Sequence, residues 1–310
     1  MKKSILKRKP VEITIISLIA FLNLFWLPTF SFWDIYPKNL AFSINSDLIQ
    51  YQHPDKIYSK LAVEPQLNST HYILIDAVTN TVILSKNSDQ KIYPASTTKL
   101  ITALTALNIY PLDEELTINQ EYTEGQVMGL KLGEKITVRS LVSALLVYSA
   151  NDSAFTLANH HQNGEVGFVD EMNLLVQKYG LKNTHFTNYD GLQNENHYST
   201  AYDLSQIARL AIKNSIITQT VKQKKIIVES VDKTIKHELI STDELIDVVP
   251  EIEGLKTGYT EEAGGCFIGL INLNGHYLIS AVTQSEDRFG DTKILIDWAK
   301  TNIFWQGYQP

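Results

Sequence analysis

The spacing of apolar residues along the chain changes period several times, and each change predicts an element. Tyr72–Ile75 and Val82–Leu84 are short apolar runs on either side of Thr79-Asn80, which predicts a β-hairpin. The middle of the chain moves to helical spacing. VRSLVSALLVYSANDSAFTLANHH, FVDEMNLLVQKYG and TAYDLSQIARLAI each carry apolar residues at i, i+3 and i+4, the last with Ser199 or Thr200 as its cap. Strand patterns return in KKIIVES and in GCFIGLINLNGHYLISAVT, the latter with a turn at Asn274-Gly275, and a final helix is predicted near Thr292 to Thr301. Strands at both ends with helices between them predict an antiparallel sheet covered by helices, in a mixed α/β (α+β) arrangement. No internal repeat or low-complexity tract interrupts this pattern.

The N-terminus has a different pattern. MKKSILKRKP carries Lys2, Lys3, Lys7, Arg8 and Lys9, and the stretch Ile13 to Trp33 that follows has no charged residue. An apolar run of that length can cross a hydrocarbon core of about 30 Å as a helix, which Asn23 and Pro28 weaken but do not forbid. The basic flank predicts that residues 1–12 stay in the cytoplasm, 13–33 form a transmembrane signal anchor, and the remainder lies outside the cell membrane. The competing reading is a cleaved signal peptide followed by secretion, with Thr29 to Ser31 as a poor cleavage site. Residues 34–68 are polar and aromatic with Pro37, Pro54 and Pro65, the composition of an extracytoplasmic linker, which leaves 69–310 as the folded domain.

Composition adds two exclusions. A formal net charge of -7, with no basic stripe beyond the first ten residues, argues against a nucleic-acid partner. The single cysteine, Cys266, excludes an internal disulfide framework and a cysteine-based zinc site. Adjacent His160 and His161 point to different sides of a helix, so no shared metal is expected there.

Candidate chemistry begins in YPASTTKLITALTAL, Tyr93 to Leu107. Ser96 and Lys99 are three apart, so one helix face carries both. Pro94 favours an extended or turn conformation just upstream, leaving Ser96 in a first turn whose backbone N–H groups lack intrahelical partners. A free N–H beside a serine can stabilise an oxyanion, and a lysine desolvated among Leu100, Ile101, Leu104 and Leu107 has a lowered pKa and can take the serine proton. The alternative for the same residues is a capping serine and a solvated lysine.

Two more stretches bear on that choice. Ser149-Ala150-Asn151 closes an apolar helical run, and a hydroxyl and an amide two apart across a loop can both project into a cleft; a helix cap is the competing explanation. Lys256-Thr257-Gly258 opens the last strand pair. A cation and a hydroxyl beside a glycine on a strand edge suit capture of a carboxylate, and a surface turn with a solvated lysine is the alternative. The order S-x-x-K, S-x-N, K-T-G is far more specific than any one element.

With these motifs in place, the sequence resembles the serine D-alanyl-D-alanine carboxypeptidases among the low-molecular-mass penicillin-binding proteins, relatives of the serine β-lactamases. The resemblance runs roughly from Tyr72 to Trp298 and includes GLKNTHFTNYDGL and HYSTAYDLSQIA. It implies a β-lactamase/transpeptidase-like fold, with a five-stranded antiparallel sheet flanked by helices and a helical subdomain. It also implies roles. Ser96 attacks the penultimate D-alanine carbonyl of a peptidoglycan stem peptide and Lys99 accepts its proton. Ser149, with Lys256 nearby, relays a proton to the departing D-alanine. Asn151 orients the substrate amide, Lys256 and Thr257 bind the terminal carboxylate, and Gly258 lets the backbone lie close. The N–H groups of Ser96 and Tyr259 hold the oxyanion. Water then hydrolyses the acyl-enzyme with no cofactor, and β-lactams are expected as covalent inhibitors.

The sequence also departs from the family pattern. The middle motif is S-A-N instead of S-D-N, and no clear counterpart of a deacylating glutamate is present, which weakens a β-lactamase reading. The C-terminal β-domain and amphipathic membrane helix of many members have no counterpart before Pro310, so the N-terminal anchor is expected to supply the membrane attachment. Endopeptidase or transpeptidase outcomes, and a non-catalytic wall-binding receptor, are the alternatives to carboxypeptidase action.

Overall fold

The computed structural model describes residues 56–59 and 63–306. The expected basic segment and anchor, 1–33, lie outside the described residues, as does most of the 34–68 stretch. Among the described residues no helix is long and apolar enough to cross a membrane.

The central sheet has five antiparallel strands in the order β3-β2-β10-β9-β8. These are β2 (His71–Asp76), β3 (Val82–Lys86), β8 (Ile252–Thr260), β9 (Gly264–Leu273) and β10 (His276–Ser285). The β2–β3 and β9–β10 hairpins form where the turn residues predict them. Asn80, Asn274 and Gly275 take positive φ, of 62°, 55° and 92°, the backbone that tight hairpin turns require. Alternation along β2 divides the core in two. Ile73 and Ile75 join the large cluster beneath the helical lobe, whereas Leu74 packs with Phe267, Ile271, Leu278 and Ile296 on the opposite face.

Seven helices are described: α1 (Lys99–Ile109), α2 (Val138–Val147), α3 (Asn151–Asn159), α4 (Gly164–Lys178), α5 (Ala201–Ala211), α6 (Ser215–Val221) and α7 (Arg288–Asn302). Helix α5 lies against β2 and β10 on one face of the sheet, and α7 covers β9 and β10 on the other. Thr200 caps α5, its hydroxyl accepting from the Asp203 N–H at 3.0 Å. The predicted fold class, a five-stranded antiparallel sheet flanked by helices with a helical lobe, is the observed one.

Three two-stranded ribbons complete the architecture. They are β4 (Glu115–Thr117) with β5 (Lys135–Thr137), β6 (Lys225–Glu229) with β7 (Lys236–Ile240), and β1 (Lys56–Ser59) with β11 (Ile303–Gln306). The last was not expected, since Lys56–Ser59 belongs to the stretch that reads as linker. Its pairing, Lys56 opposite Gln306, is supplied by the other end of the chain.

Candidate active site

Pro94 is followed by Ala95 at φ 47°, a left-handed backbone that L-residues seldom adopt, and the chain then enters a short 3-10 turn, Ala95–Thr98, which runs directly into α1. The Thr97 hydroxyl donates to the Pro94 carbonyl at 2.6 Å and fixes this corner. Ser96 is thereby held half-buried at the mouth of a helix.

Helix α1 leaves Lys99 no route to solvent. Every residue from Lys99 to Ala106 is buried, which is the pattern of a helix enclosed on all sides, and Lys99 itself is 0% exposed. Its Nζ lies 2.9 Å from Ser96 Oγ and donates at 2.6 Å to the main-chain carbonyl of Asp190. Desolvation pulls the Lys99 pKa down to about 8, opposed by the negative charge of Asp190. The alternative of a solvated lysine is therefore removed, and the Ser96–Lys99 pair has the arrangement of a nucleophile beside its base.

Asp190 has no counterpart among the residues singled out from the sequence. Its side chain accepts from Tyr122 Oη at 2.7 Å and from the Leu192 N–H at 3.1 Å, while its carbonyl faces Lys99. Gly191 follows at φ 87°, and a Cβ there would overlap the Ala95 carbonyl, so only glycine lets this loop reach the Ser96 turn. The Asp190-Gly191 dipeptide is a turn signal, the one local trace of this contact in the sequence. Behind the same turn, His197 Nδ1 accepts from the Thr187 N–H at 3.1 Å, which leaves Nε2–H to donate to Thr98 Oγ1 at 2.9 Å. Burial pulls His197 down to about 3, so it is a neutral strut.

Ser149 occupies the junction of α2 and α3 with φ 66°, a strained position for a non-glycine residue, and is 5% exposed. Asn151 begins α3 and binds the loop above it, donating from Nδ2 to the Glu124 carbonyl at 3.0 Å and from its main-chain N–H to the Gln126 carbonyl at 2.7 Å. Asp152 holds that loop more firmly. Its carboxylate accepts from the N–H groups of Met128, Gly129 and Leu130 at 3.0, 2.8 and 3.1 Å. The asparagine thus fastens the same loop that its neighbour anchors.

The K-T-G segment lies on β8, the edge strand of the sheet. Gly258 runs against the Ala95–Thr98 turn, where a Cβ would be 2.9 Å from Ser96 N and 3.0 Å from Thr97 N. Lys256 is 1% exposed and donates to the Thr257 carbonyl at 3.1 Å. Burial first, then the Lys99 charge, push its pKa well below the ordinary lysine value. Thr257 Oγ1 is 2.6 Å from Thr242 Oγ1, and Tyr259 is 63% exposed at the rim. Arg288, at the start of α7, was missed in the sequence. Its charge acts on Lys256, and its Nε is buried without a hydrogen bond.

Comparison with known proteins bears on the whole of this arrangement. Residues 58–287 match a family described as D-alanyl-D-alanine carboxypeptidase. The D-alanyl-D-alanine carboxypeptidase DacF of Bacillus subtilis is 30% identical over 238 residues, which are 73% of this chain and 61% of that protein. A D-alanyl-D-alanine carboxypeptidase of Streptomyces sp. strain K15 is 32% identical over 225 residues, 67% of this chain and 77% of the relative. The crystal structure of the Streptomyces K15 DD-transpeptidase superposes with a TM-score of 0.73 at 29% identity, covering 77% of this chain and 100% of that one. With a serine beside a buried lysine, an S-x-N junction and a K-T-G edge strand on this fold, the chain belongs to the D-alanyl-D-alanine carboxypeptidase family.

Proposed function

We propose that this protein is a serine D-alanyl-D-alanine carboxypeptidase that removes the terminal D-alanine from peptidoglycan stem peptides through an acyl-enzyme on Ser96. The observation that carries the reading is the 2.9 Å approach of Ser96 Oγ to a lysine with no solvent exposure. A neutral Lys99 amine accepts the serine proton as Oγ attacks the penultimate D-alanine carbonyl. The developing oxyanion is held by the N–H groups of Ser96 and Tyr259, next to the close contact between Gly258 and the nucleophile turn. Asn151 orients the substrate amide. Ser149 relays the proton to the departing nitrogen. Lys256, Thr257 and Arg288 receive the terminal carboxylate, and water then releases the shortened peptide.

The catalytic domain acts outside the cytoplasmic membrane, tethered by Ile13 to Trp33, with peptidoglycan as its macromolecular partner and β-lactams as acylating inhibitors. Transfer of the acyl group to an acceptor amine is the second reading, favoured by the transpeptidase named in the Streptomyces K15 structure. Both are tested by incubating the purified protein with a synthetic D-Ala-D-Ala stem peptide, with and without a D-amino-acid acceptor. Release of free D-alanine without acceptor, lost in Ser96→Ala, supports hydrolysis. Exchange product alone supports transfer, and neither product, with penicillin still bound, points to a receptor.

A further inference from the structure

The Asp190 carbonyl accepts from Lys99 Nζ at 2.6 Å and lies 3.4 Å from Ser96 Oγ. A neutral amine has two N–H bonds and one lone pair. With one N–H committed to that carbonyl, the position of Asp190 decides whether the Lys99 lone pair points at the serine hydroxyl. What holds Asp190 therefore holds the base.

Several ties run within its own loop or to α1. Oδ1 accepts from the Leu192 N–H at 3.1 Å, the Gly191 N–H donates to Asn188 Oδ1 at 2.8 Å, and the Tyr189 carbonyl accepts from Thr102 Oγ1 of α1 at 2.6 Å. One crosses from another loop. Tyr122, between β4 and β5, donates from Oη to Asp190 Oδ2 at 2.7 Å, and Asp190 is 2% exposed. Burial first, then the Asp190 charge, hold the Tyr122 phenol well above its ordinary pKa, so it is a neutral donor over the whole range in which Lys99 titrates.

Tyr122 is itself clamped. Its ring stacks on Phe155 of α3 with centroids 5.0 Å apart and planes 21° from parallel, and Phe155 leans on Tyr189 at 6.4 Å. The Tyr189 hydroxyl in turn donates at 2.7 Å to Glu165 Oε2, in the first turn of α4. Three residues beyond Tyr122, a Cβ on Gly125 would be 2.5 Å from Asn151 Nδ2 and 3.8 Å from Leu192 Cδ2, so the two loops also meet beside Asn151. Tyr122 thus joins α3, which Asn151 opens, to the loop that touches Lys99.

We propose that Tyr122 is a positioning residue for the general base: its hydroxyl fixes Asp190 so that the Asp190 carbonyl aims the Lys99 lone pair at Ser96. The proposal rests on the acyl-serine chemistry of the carboxypeptidase reading and adds to it a residue of the loop between β4 and β5. Removing the hydroxyl leaves a buried carboxylate oxygen without that donor, and the Asp190 loop shifts to find another. The Lys99 N–H follows the carbonyl, and the lone pair turns from the serine.

The test compares acylation by a labelled penicillin in the full-length protein and in Tyr122→Phe, which keeps the ring against Phe155. The acylation rate constant and the dissociation constant of the preceding noncovalent complex are measured on both sides of pH 8, about where Lys99 loses its proton. Well above that pH the amine is neutral in both proteins, so its aim and not its protonation sets the rate. There the acylation rate constant should fall roughly tenfold in the variant, with the dissociation constant unchanged within about twofold. Para-aminophenylalanine at the same position, which restores a donor, should recover most of the rate. An alkaline plateau equal to that of the wild type, or a loss carried by the dissociation constant alone, overturns the proposal.

Asp190→Ala tests the same bond from the other side, since it keeps the carbonyl and deletes the carboxylate. Each single variant should slow acylation, and the double variant should be no slower than the slower single. Losses that multiply mean that the two groups act separately and overturn the proposal. The readout is acylation, so a wild-type protein that takes up penicillin on Ser96 yet frees no D-alanine overturns the carboxypeptidase reading while the cycle still decides the role of Tyr122. A wild type that is not acylated on Ser96 overturns both.

Discussion

Gly258 and Ser96 are in contact through bare backbone: a Cβ on the glycine would stand 2.9 Å from the serine amide nitrogen. That nitrogen is one of the two proposed oxyanion donors, so on that proposal the spacing between β8 and the Ala95–Thr98 turn sets the width of the oxyanion site. Gly258→Ala should push the edge strand away by a few tenths of an ångström. Acylation by a labelled penicillin is expected to slow by roughly ten- to a hundred-fold. Thermal unfolding should change by no more than about 1 kcal/mol, because β8 is an edge strand and can yield. Equal losses of stability and rate would place the glycine in the core and not in the site.

Ser96→Ala should form no covalent adduct with labelled penicillin, while Ser149→Ala should still be labelled, at a reduced rate. Mass spectrometry of the intact protein reads both outcomes. A label on the Ser96→Ala protein would assign the nucleophile elsewhere.

Lys99 gives a pH dependence with a definite sign. Its folded-state pKa, about 8, lies below the ordinary 10.5, so between these values the unfolded chain binds more protons than the folded one. Wild-type stability should therefore rise with pH over that window, relative to Lys99→Met, by roughly 3 kcal/mol in total. Below pH 8 the difference between the two proteins should be constant. Denaturant unfolding at several pH values measures it, and the same neutral amine predicts that kcat/KM climbs toward pH 8.

Asp152→Ala removes the acceptor for three consecutive N–H groups, those of Met128, Gly129 and Leu130. The expected cost is about 3 kcal/mol. Limited proteolysis should cut the variant between residues 119 and 133 and leave the wild type intact there. Acylation should slow as well, since Asn151 takes its position from the same loop.

The sequence displayed what is encoded locally. The i, i+3 pair of Ser96 and Lys99, the Asn274-Gly275 turn, the Thr200 cap and the K-T-G strand each depend on neighbours within a few residues, and all appear where the pattern places them. Asp190 was not legible because it meets Lys99 with a main-chain carbonyl, which every residue possesses. Arg288 acts on Lys256 from an element further along the chain, and nothing in EDRFG marks it apart from ordinary surface charge. The short strands were missed for a related reason. Lys236–Ile240 alternates buried and exposed positions over just five residues, and Lys56–Ser59 becomes a strand only because Ile303–Gln306 lies beside it.

That last ribbon makes the order of the elements separable from their geometry. Strand β11 runs out at Gln306 directly opposite Lys56, where β1 begins, so a two-residue Asn-Gly bridge would join them as an ordinary hairpin. The described domain is, in effect, a ring with one link left open. Cutting it at the exposed Asn274-Gly275 turn would give a circularly permuted chain in which β10 and α7 precede Ser96, yet every contact between the described elements is retained. A permutant of that kind would carry its new ends at the β9–β10 turn and leave the β1–β11 pole continuous, turning the place where the natural chain enters and leaves the domain into a plain surface.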